Sequence, residues 1–491
     1  MTNQIIGRQN EIKILENILS SQTAEFVAIY GRRRVGKTYL IKQFFSEQSG
    51  VFFELTGLND GSLKEQLVNF SVSLSKTFYQ EAEMAIQKSW MDALRQLSSA
   101  IDNTPLNKRI IIFFDELPWL STRKSGFLKA IEYYWNTHWS YRKKLILVVC
   151  GSAASWMLEK IVHAKGGLHN RITVNIRLQP FSLNEVQDYL TYQGHELNKE
   201  QILKLYMAMG GIPHYLKGLK KNLSVTQNIN AMCFQKGGML FDEFGKLFHS
   251  LYEDPDAYIK IIRAIAKKTN GISREELINS VKSISDGGYL NVMLKSLEEA
   301  GFISAFLPLG HTRRGVHYRL IDEYTLFYLN WIEPLHKKTR VTKSTSYWAT
   351  VIHTSAWYAW AGYAFEAVCL KHVESIKKSI GLDKGHVYWG DWRYTPGRDG
   401  KGAQIDLVLD RDDDCVTLCE IKHTEKPFVI TKSYASEIET KQAIYKEQTR
   451  TKKQILWCLI TNNGVSKNQY FKKLINYVVI LDDLYHESSL S

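Results

Sequence analysis

The sequence predicts a multidomain α/β protein, and three observations carry that prediction. The chain has 491 residues, 44% hydrophobic and 23% charged, which at about 150 residues per domain allows about three packed domains. Short apolar strands alternate with helical stretches through the first third of the chain, the pattern of a parallel sheet covered on both faces. A second group of apolar strands near the C-terminus carries isolated acidic and lysine residues. This composition excludes a disordered, collagen-like or coiled-coil chain.

Taken in order, residues 5–18 have helical spacing with Asn10 as a cap, and Glu25 to Tyr30 is an apolar strand. A glycine-bounded loop and a helix from Lys37 to Phe45 follow, then a strand from Val51 to Leu55. Residues 62–100 read as mostly helical. Arg109 to Phe114 is a third strand, Lys124 to His138 a helix, Leu145 to Cys150 a fourth strand and Ile172 to Leu178 a fifth. Residues 182–255 are helical. Residues 256–320 read as three helices and a hairpin, with a turn at Asn270-Gly271 and capping-box spacing from Ser273 to Glu276. That is the winged-helix order, with a helix from Leu290 to Ala300 and strands Phe302 to Leu307 and Val316 to Leu320. The basic, polar segment 336–346 reads as a linker. The expected domains are 1–181, 182–255, 256–344 and 345–491.

The net charge of +13 favours an anionic partner without choosing one. Its distribution is uneven: +7 over residues 1–255, +5 over 256–344 and +1 over 345–491. Six cysteines form no CxxC pair and sit mostly in apolar runs, the habit of reduced thiols in a cytoplasmic protein. Cys415 and Cys419 lack the second half of a metal site. The N-terminus has no signal-peptide shape, and the longest apolar run, near Leu145 to Ala154, is too short for a membrane span. A cytoplasmic protein without membrane association is expected.

Gly31-Arg-Arg-Arg34-Val-Gly36-Lys37-Thr38 matches GxxxxGK[ST] between an apolar strand and a helix, the context that confirms a phosphate-binding loop. Glycines let backbone N–H groups wrap phosphates, and the helix N-terminus adds positive potential. Gly31, Arg34, Gly36, Lys37 and Thr38 are the expected ATP-binding set, with Lys37 on the phosphates and the Thr38 hydroxyl on Mg2+. The third strand ends in Asp115-Glu116. Asp115 is expected to hold magnesium and Glu116 to polarise the attacking water as general base. Ser152, after the fourth strand, either senses the γ-phosphate or is a turn serine. Arg171 is either a finger supplied to a neighbouring subunit or a solvated arginine. The segment Gly210-Gly211-Ile212-Pro213 either approaches the adenine, through Pro213, or breaks a helix.

GRRRVGKT, FFDELPWL, CGSAASW and GGIPHYL together resemble the archaeal-type P-loop ATPases of the AAA+/STAND-like branch of the ASCE class. The Gly7-Arg8-x-x-Glu11 box fits the same family, whose members carry such a box near the base. The resemblance spans roughly residues 1–330. It implies a five-stranded core, a helical lid, a winged helix, ATP hydrolysis and an ATP-dependent dimer or other homo-oligomer. His214 stands where many AAA+ proteins place an arginine sensor nearby.

Winged helices bind DNA through a recognition helix and a wing. The candidate recognition helix offers Asn291 and Lys295 beside Glu298 and Glu299, while the wing holds His311, Arg313 and Arg314, with Arg319 beyond. Arg313 and Arg314 are the DNA-binding candidates. An intramolecular lid is the other reading of the same fold.

In the third unit, Gln404-Ile-Asp406 lies in one apolar strand and Glu420-Ile-Lys422 in the next. Residues i and i+2 share a strand face, so Glu420 and Lys422 project together, and a hairpin brings Asp406 alongside. Two carboxylates for magnesium and a lysine for the attacking water suit phosphodiester cleavage. The helix GYAFEAVCLKHV aims Glu366 at the same place. The order α-β-β-β-α-β and these residues resemble the restriction-endonuclease-like superfamily, signature PD-(D/E)XK, over about residues 350–480. That resemblance implies Asp406, Glu420 and Lys422 as a nuclease core, Glu366 as the helical carboxylate and Gln404 as an aid. A salt-bridge cluster, or a nuclease fold without turnover, fits the same residues. Trp348, Trp357, Tyr358 and Trp360 read as packing rather than base stacking, and His386 and His423 as bystanders. The combined expectation is an ATPase coupled to a magnesium-dependent DNA nuclease acting on foreign or mobile DNA. The alternative is a non-cutting STAND-type regulator.

Overall fold

The computed structural model describes residues 4–122, 124–163, 168–269, 271–306, 316–336, 347–394 and 402–486. His311, Arg313 and Arg314, Asn270 and most of the proposed linker lie outside them. The chain forms two compact units, Met1–Pro180 with Lys295–Gly301, and Phe181–Leu294 with Phe302–Ser491.

The first unit is built on β1 (Glu25–Tyr30), β2 (Val51–Thr56), β3 (Ile110–Asp115), β4 (Leu145–Gly151) and β5 (Val174–Arg177). Their order is β2-β3-β4-β1-β5, all parallel. Every residue of β3 and β4 is buried, which is why both read as unbroken apolar runs rather than alternating ones. Aromatic rings fill one face: Trp90 meets Phe70 and Phe127 edge-on, and Phe114 meets Phe53 and Phe127 likewise. The stretch read as mostly helical is two helices, Leu63–Phe78 and Trp90–Asp102, capped by Ser62 and Ser89. Asn10 is not a cap. The helix Gln9–Ser20 starts after Arg8, whose backbone is left-handed and whose side chain is used elsewhere.

The second unit contains helices Leu183–Tyr192, Lys199–Met209, Pro213–Leu216, Val225–Cys233, Glu243–Leu251, Pro255–Ala266 and Arg274–Ser280. Ser273 and Glu276 form the expected capping box. A small antiparallel sheet, β6 (Ile272–Ser273), β7 (Ile303–Phe306) and β8 (His317–Leu320), has the order β6-β8-β7. The helix Gly288–Glu299 precedes β7, and its residues from Lys295 onward belong to the first unit. There the Arg177 guanidinium donates to the carbonyls of Glu298 and Glu299.

The C-terminal part follows the helix Ser355–Lys371 with β9 (Val387–Tyr394), β10 (Ala403–Arg411), β11 (Cys415–Lys422), the helix Lys432–Thr449, β12 (Gln454–Thr461) and β13 (Tyr477–Ile480). The sheet order is β13-β12-β11-β10-β9; β9, β10 and β11 are antiparallel, and β11, β12 and β13 parallel. Trp348, Trp357 and Trp360 are buried. They pack on one another and on Trp331 and Phe327. Tyr358 is 40% exposed and differs from them. Five of the cysteines are buried and Cys415 is half-buried, all as free thiols. Among the described residues no helix is long and apolar enough to cross a membrane.

Candidate functional site

In the first unit, β1 delivers the chain into the phosphate-binding loop. Gly31 has φ +145°, and a Cβ there would lie 2.3 Å from the Leu178 carbonyl oxygen. Only glycine lets the loop pass this close to the end of β5, the strand paired with β1. The helix Lys37–Ser46 opens after Gly36. Lys37 Nζ donates to the carbonyls of Gly31 and Arg32, both at 2.9 Å, so the ammonium is aimed back across the loop. Burial pulls its pKa down, while Asp115 and Glu116 are among the groups that hold it up. Arg34 takes a left-handed backbone in the loop. Arg8 is 5% exposed. It donates to the carbonyls of Val35 at 3.0 Å and Gln179 at 2.7 Å, tying the opening box to the loop.

The Thr38 hydroxyl donates to Asp115 Oδ2 at 2.8 Å. A hydroxyl and a carboxylate oxygen converging beside a phosphate loop are hard donors of the kind magnesium takes. Glu116 follows with φ 47°, and its Oε2 accepts from both N–H and Oγ of Ser152, at 3.2 and 2.9 Å. The β3 and β4 ends are brought together because β3 pairs with β4. Ser152 therefore holds the Glu116 carboxylate, which the sequence reading left open. Arg171 is exposed in the turn before β5.

In the second unit, the glycine pair ends a helix. Gly210 caps Lys199–Met209, and a Cβ on Gly211 would lie 1.9 Å from the Phe181 carbonyl oxygen. Pro213 begins the helix Pro213–Leu216, where its missing N–H costs nothing. The glycines and the proline thus suit the local packing and the helix break at this point.

The C-terminal carboxylates and lysine do come together. Asp406 lies one step past the Leu407–Cys419 pair of the β10–β11 ladder, and its Oδ2 accepts from the Ile421 N–H at 2.9 Å. Glu420 is 1% exposed. Its Oε2 accepts from Lys422 Nζ at 3.0 Å and the Tyr434 hydroxyl at 3.1 Å, and its Oε1 from Lys441 Nζ at 2.7 Å. Burial and the Glu420 charge raise the Asp406 pKa. Burial opposes the charge on Lys422, but Glu420 and Asp406 outweigh it and the pKa rises.

Glu366 projects from the helix Ser355–Lys371 beside this group, and its main partner is Arg319 of β8, Nη1 to Oε1 at 3.0 Å. Arg319 also meets Asp391 at 3.4 Å and is 3% exposed. Arg319 is therefore not a solvent-facing member of the basic group in which the sequence reading listed it. It is a buried counter-ion between β8, the helix and β9. Burial raises the Glu366 pKa to about 7, with Arg319 pulling the other way. Gln404 accepts from Arg393 at 3.4 Å.

Sequence reasoning missed Lys441, Tyr434 and Asp391. Lys441 carries a weak signal as the i+4 partner of Glu437, at 3.3 Å, but that spacing alone reads as a surface pair. Among the described residues no group of three or more acidic, histidine or cysteine side chains has metal-binding geometry. Asp406 and Glu420 are hard oxygen donors, yet both oxygens of Glu420 are already hydrogen-bonded.

Residues 5–219 match the family described as an ATPase domain predominantly from Archaea. An uncharacterized protein of Methanocaldococcus jannaschii is 24% identical over 413 residues, covering 83% of this chain and 85% of that protein. An uncharacterized ATP-binding protein of the same organism is 42% identical over 43 residues, covering 9% of this chain and 73% of that protein. A Walker-type ATPase of Pyrococcus abyssi is a similar solved structure, with TM-score 0.46, 19% identity, and coverage of 66% of this chain and 96% of that one. With the loop, the strand-end carboxylates and the family match falling on the same residues, the N-terminal part of this chain is a P-loop ATPase domain.

Proposed function

We propose that the chain binds ATP with Mg2+ at the loop, hydrolyses it, and couples that cycle to a magnesium-dependent, restriction-endonuclease-like DNA nuclease in its C-terminal part. Domains 1–181, 182–255, 256–344 and 345–491 would be ATPase core, helical lid, winged helix and nuclease. The observation that carries the nuclease reading is the convergence of Asp406, Glu420, Lys422 and Glu366 from two strands and a helix. In the ATPase, Lys37 would bind the phosphates, Thr38 and Asp115 would hold the metal, and Glu116, oriented by Ser152, would take the proton of the attacking water. Arg171 would serve a neighbouring subunit in a homo-oligomer, Pro213 would border the adenine, and Arg313 and Arg314 would grip DNA. Foreign or mobile DNA is the proposed target.

A second reading has its own support. Glu420 is saturated by two lysines and a tyrosine, and Glu366 is tied to Arg319. A non-cutting STAND-type regulator, using the winged helix and the C-terminal part to bind partners, needs no more than this. Wild type, Lys37→Ala and Asp406→Ala, incubated with plasmid and single-stranded DNA, with magnesium or manganese and with or without ATP, separate the two. Cutting that disappears in Asp406→Ala supports the nuclease. ATP turnover with no cutting under any condition supports the regulator.

A further inference from the structure

A cavity of about 310 Å³ lies in the second unit, outside the carboxyl ends of β11 and β12. His423, Thr424 and Glu425 follow β11, and Asn462 and Asn463 follow β12. Crevices at the carboxyl ends of neighbouring parallel strands are where α/β sheets most often hold ligands.

Its polar edge is built rigidly. Asn462 accepts from the Thr424 N–H at 2.8 Å and donates to Glu200 at 2.9 Å, while Asn463 donates to the Thr424 carbonyl at 2.6 Å. Tyr358 is held by Glu425 at 2.6 Å and remains 40% exposed, a flat ring presented at the rim. Trp348 and Trp357, with ring centroids 5.2 Å apart, form the apolar wall. His423 Nε2 is buried with no hydrogen-bond partner. Burial, and then the nearby Lys204 ammonium, push its pKa down to about 4, so the ring is neutral.

The charges choose the ligand class. Glu200 and Glu425 against Lys204 leave no excess positive charge for a bare anion. A neutral planar heterocycle with its own donors and acceptors suits an aromatic wall, two side-chain amides and a neutral imidazole. The exposed Lys204 at the edge would meet a phosphate attached to that ring. His423 directly follows Lys422, so the cavity sits one residue along the chain from the carboxylate–lysine group. We propose that this cavity binds a nucleobase, either of a free nucleotide or of a nucleic-acid strand. The proposal does not require cutting.

The test uses the full chain with ADP saturating the phosphate loop, so that the ATPase site does not contribute. Tryptophan fluorescence is followed on adding thymidine monophosphate, a single-stranded oligothymidylate, or an abasic oligonucleotide of the same length. Saturable quenching by a probe that carries bases, and not by the abasic strand, is expected. Saturation by the monophosphate identifies a free-nucleotide site; saturation by the oligonucleotide alone identifies a strand's base; each upholds the proposal. Tyr358→Ala, which removes an exposed stacking face, should weaken binding by about tenfold or more, and Lys204→Ala should weaken the phosphate-bearing probes, both with unchanged circular dichroism. Equal quenching by the abasic strand, no saturation with any probe, or unchanged affinity in both variants overturns it.

Discussion

Replacing Glu366 with glutamine tests the electrostatics of the C-terminal group through stability alone. Glu366 Oε1 sits 3.0 Å from Arg319, yet burial outweighs that attraction and raises the carboxyl from 4.5 to about 7. The folded state therefore binds a proton more readily than the unfolded state. Stability supplied by this group is full below the unfolded value and falls as pH rises toward the folded one. Integrating that linkage between about pH 5 and about pH 8 gives a loss of about 2.5 kcal/mol in the wild type. Glutamine does not titrate, so the stability difference between Glu366→Gln and wild type should shift by that amount in the variant's favour over the same interval. Taking the difference cancels the other titrating groups, which act in both proteins. Urea midpoints at the two pH values, followed by tryptophan fluorescence, provide the measurement. A difference that is the same at both pH values would refute the claim that burial dominates Arg319.

Glu116→Gln should lower ATP turnover by about 100-fold or more while nucleotide binding, measured by calorimetry, is retained; normal turnover would remove Glu116 from the reaction. Lys441→Ala strips one oxygen of the buried Glu420 of its partner. It should destabilise by about 1–3 kcal/mol in urea unfolding, with Lys422 still compensating the charge. His372 takes an N–H from Leu183 at Nε2, 3.1 Å, with Nδ1 2.8 Å from the Val368 carbonyl, an arrangement that needs the neutral ring. Burial lowers its pKa from 6.5, so its contribution is present above that value and fades as pH falls below it. His372→Phe should cost about 1–3 kcal/mol at neutral pH and flatten that acid-side loss.

Much of the molecule could be read from local signals. The parallel core announced itself as apolar strands alternating with helices, because strands buried on both faces must be apolar at every position. The loop, Thr38, Asp115 and Glu116 were legible because phosphate binding demands particular residue types at fixed spacing next to a strand end. Glu420 and Lys422 were legible through the two-residue period of a strand. The helix start after Arg8 was missed because the Arg8 side chain is held by the Val35 and Gln179 carbonyls, contacts that no local signal announces.

The sequence by itself singled out the candidate residues and the strands they sit on, since residue type and periodicity are local properties. Only the tertiary structure decided who neutralises whom. Ser152 meets Glu116 because two strand ends are adjacent, Lys441 meets Glu420 across 21 residues, and Arg319 meets Glu366 across 47. Arg319 makes the point most sharply. In sequence it extends a basic wing; in the fold it is buried, and a buried guanidinium must find carboxylates wherever the chain supplies them.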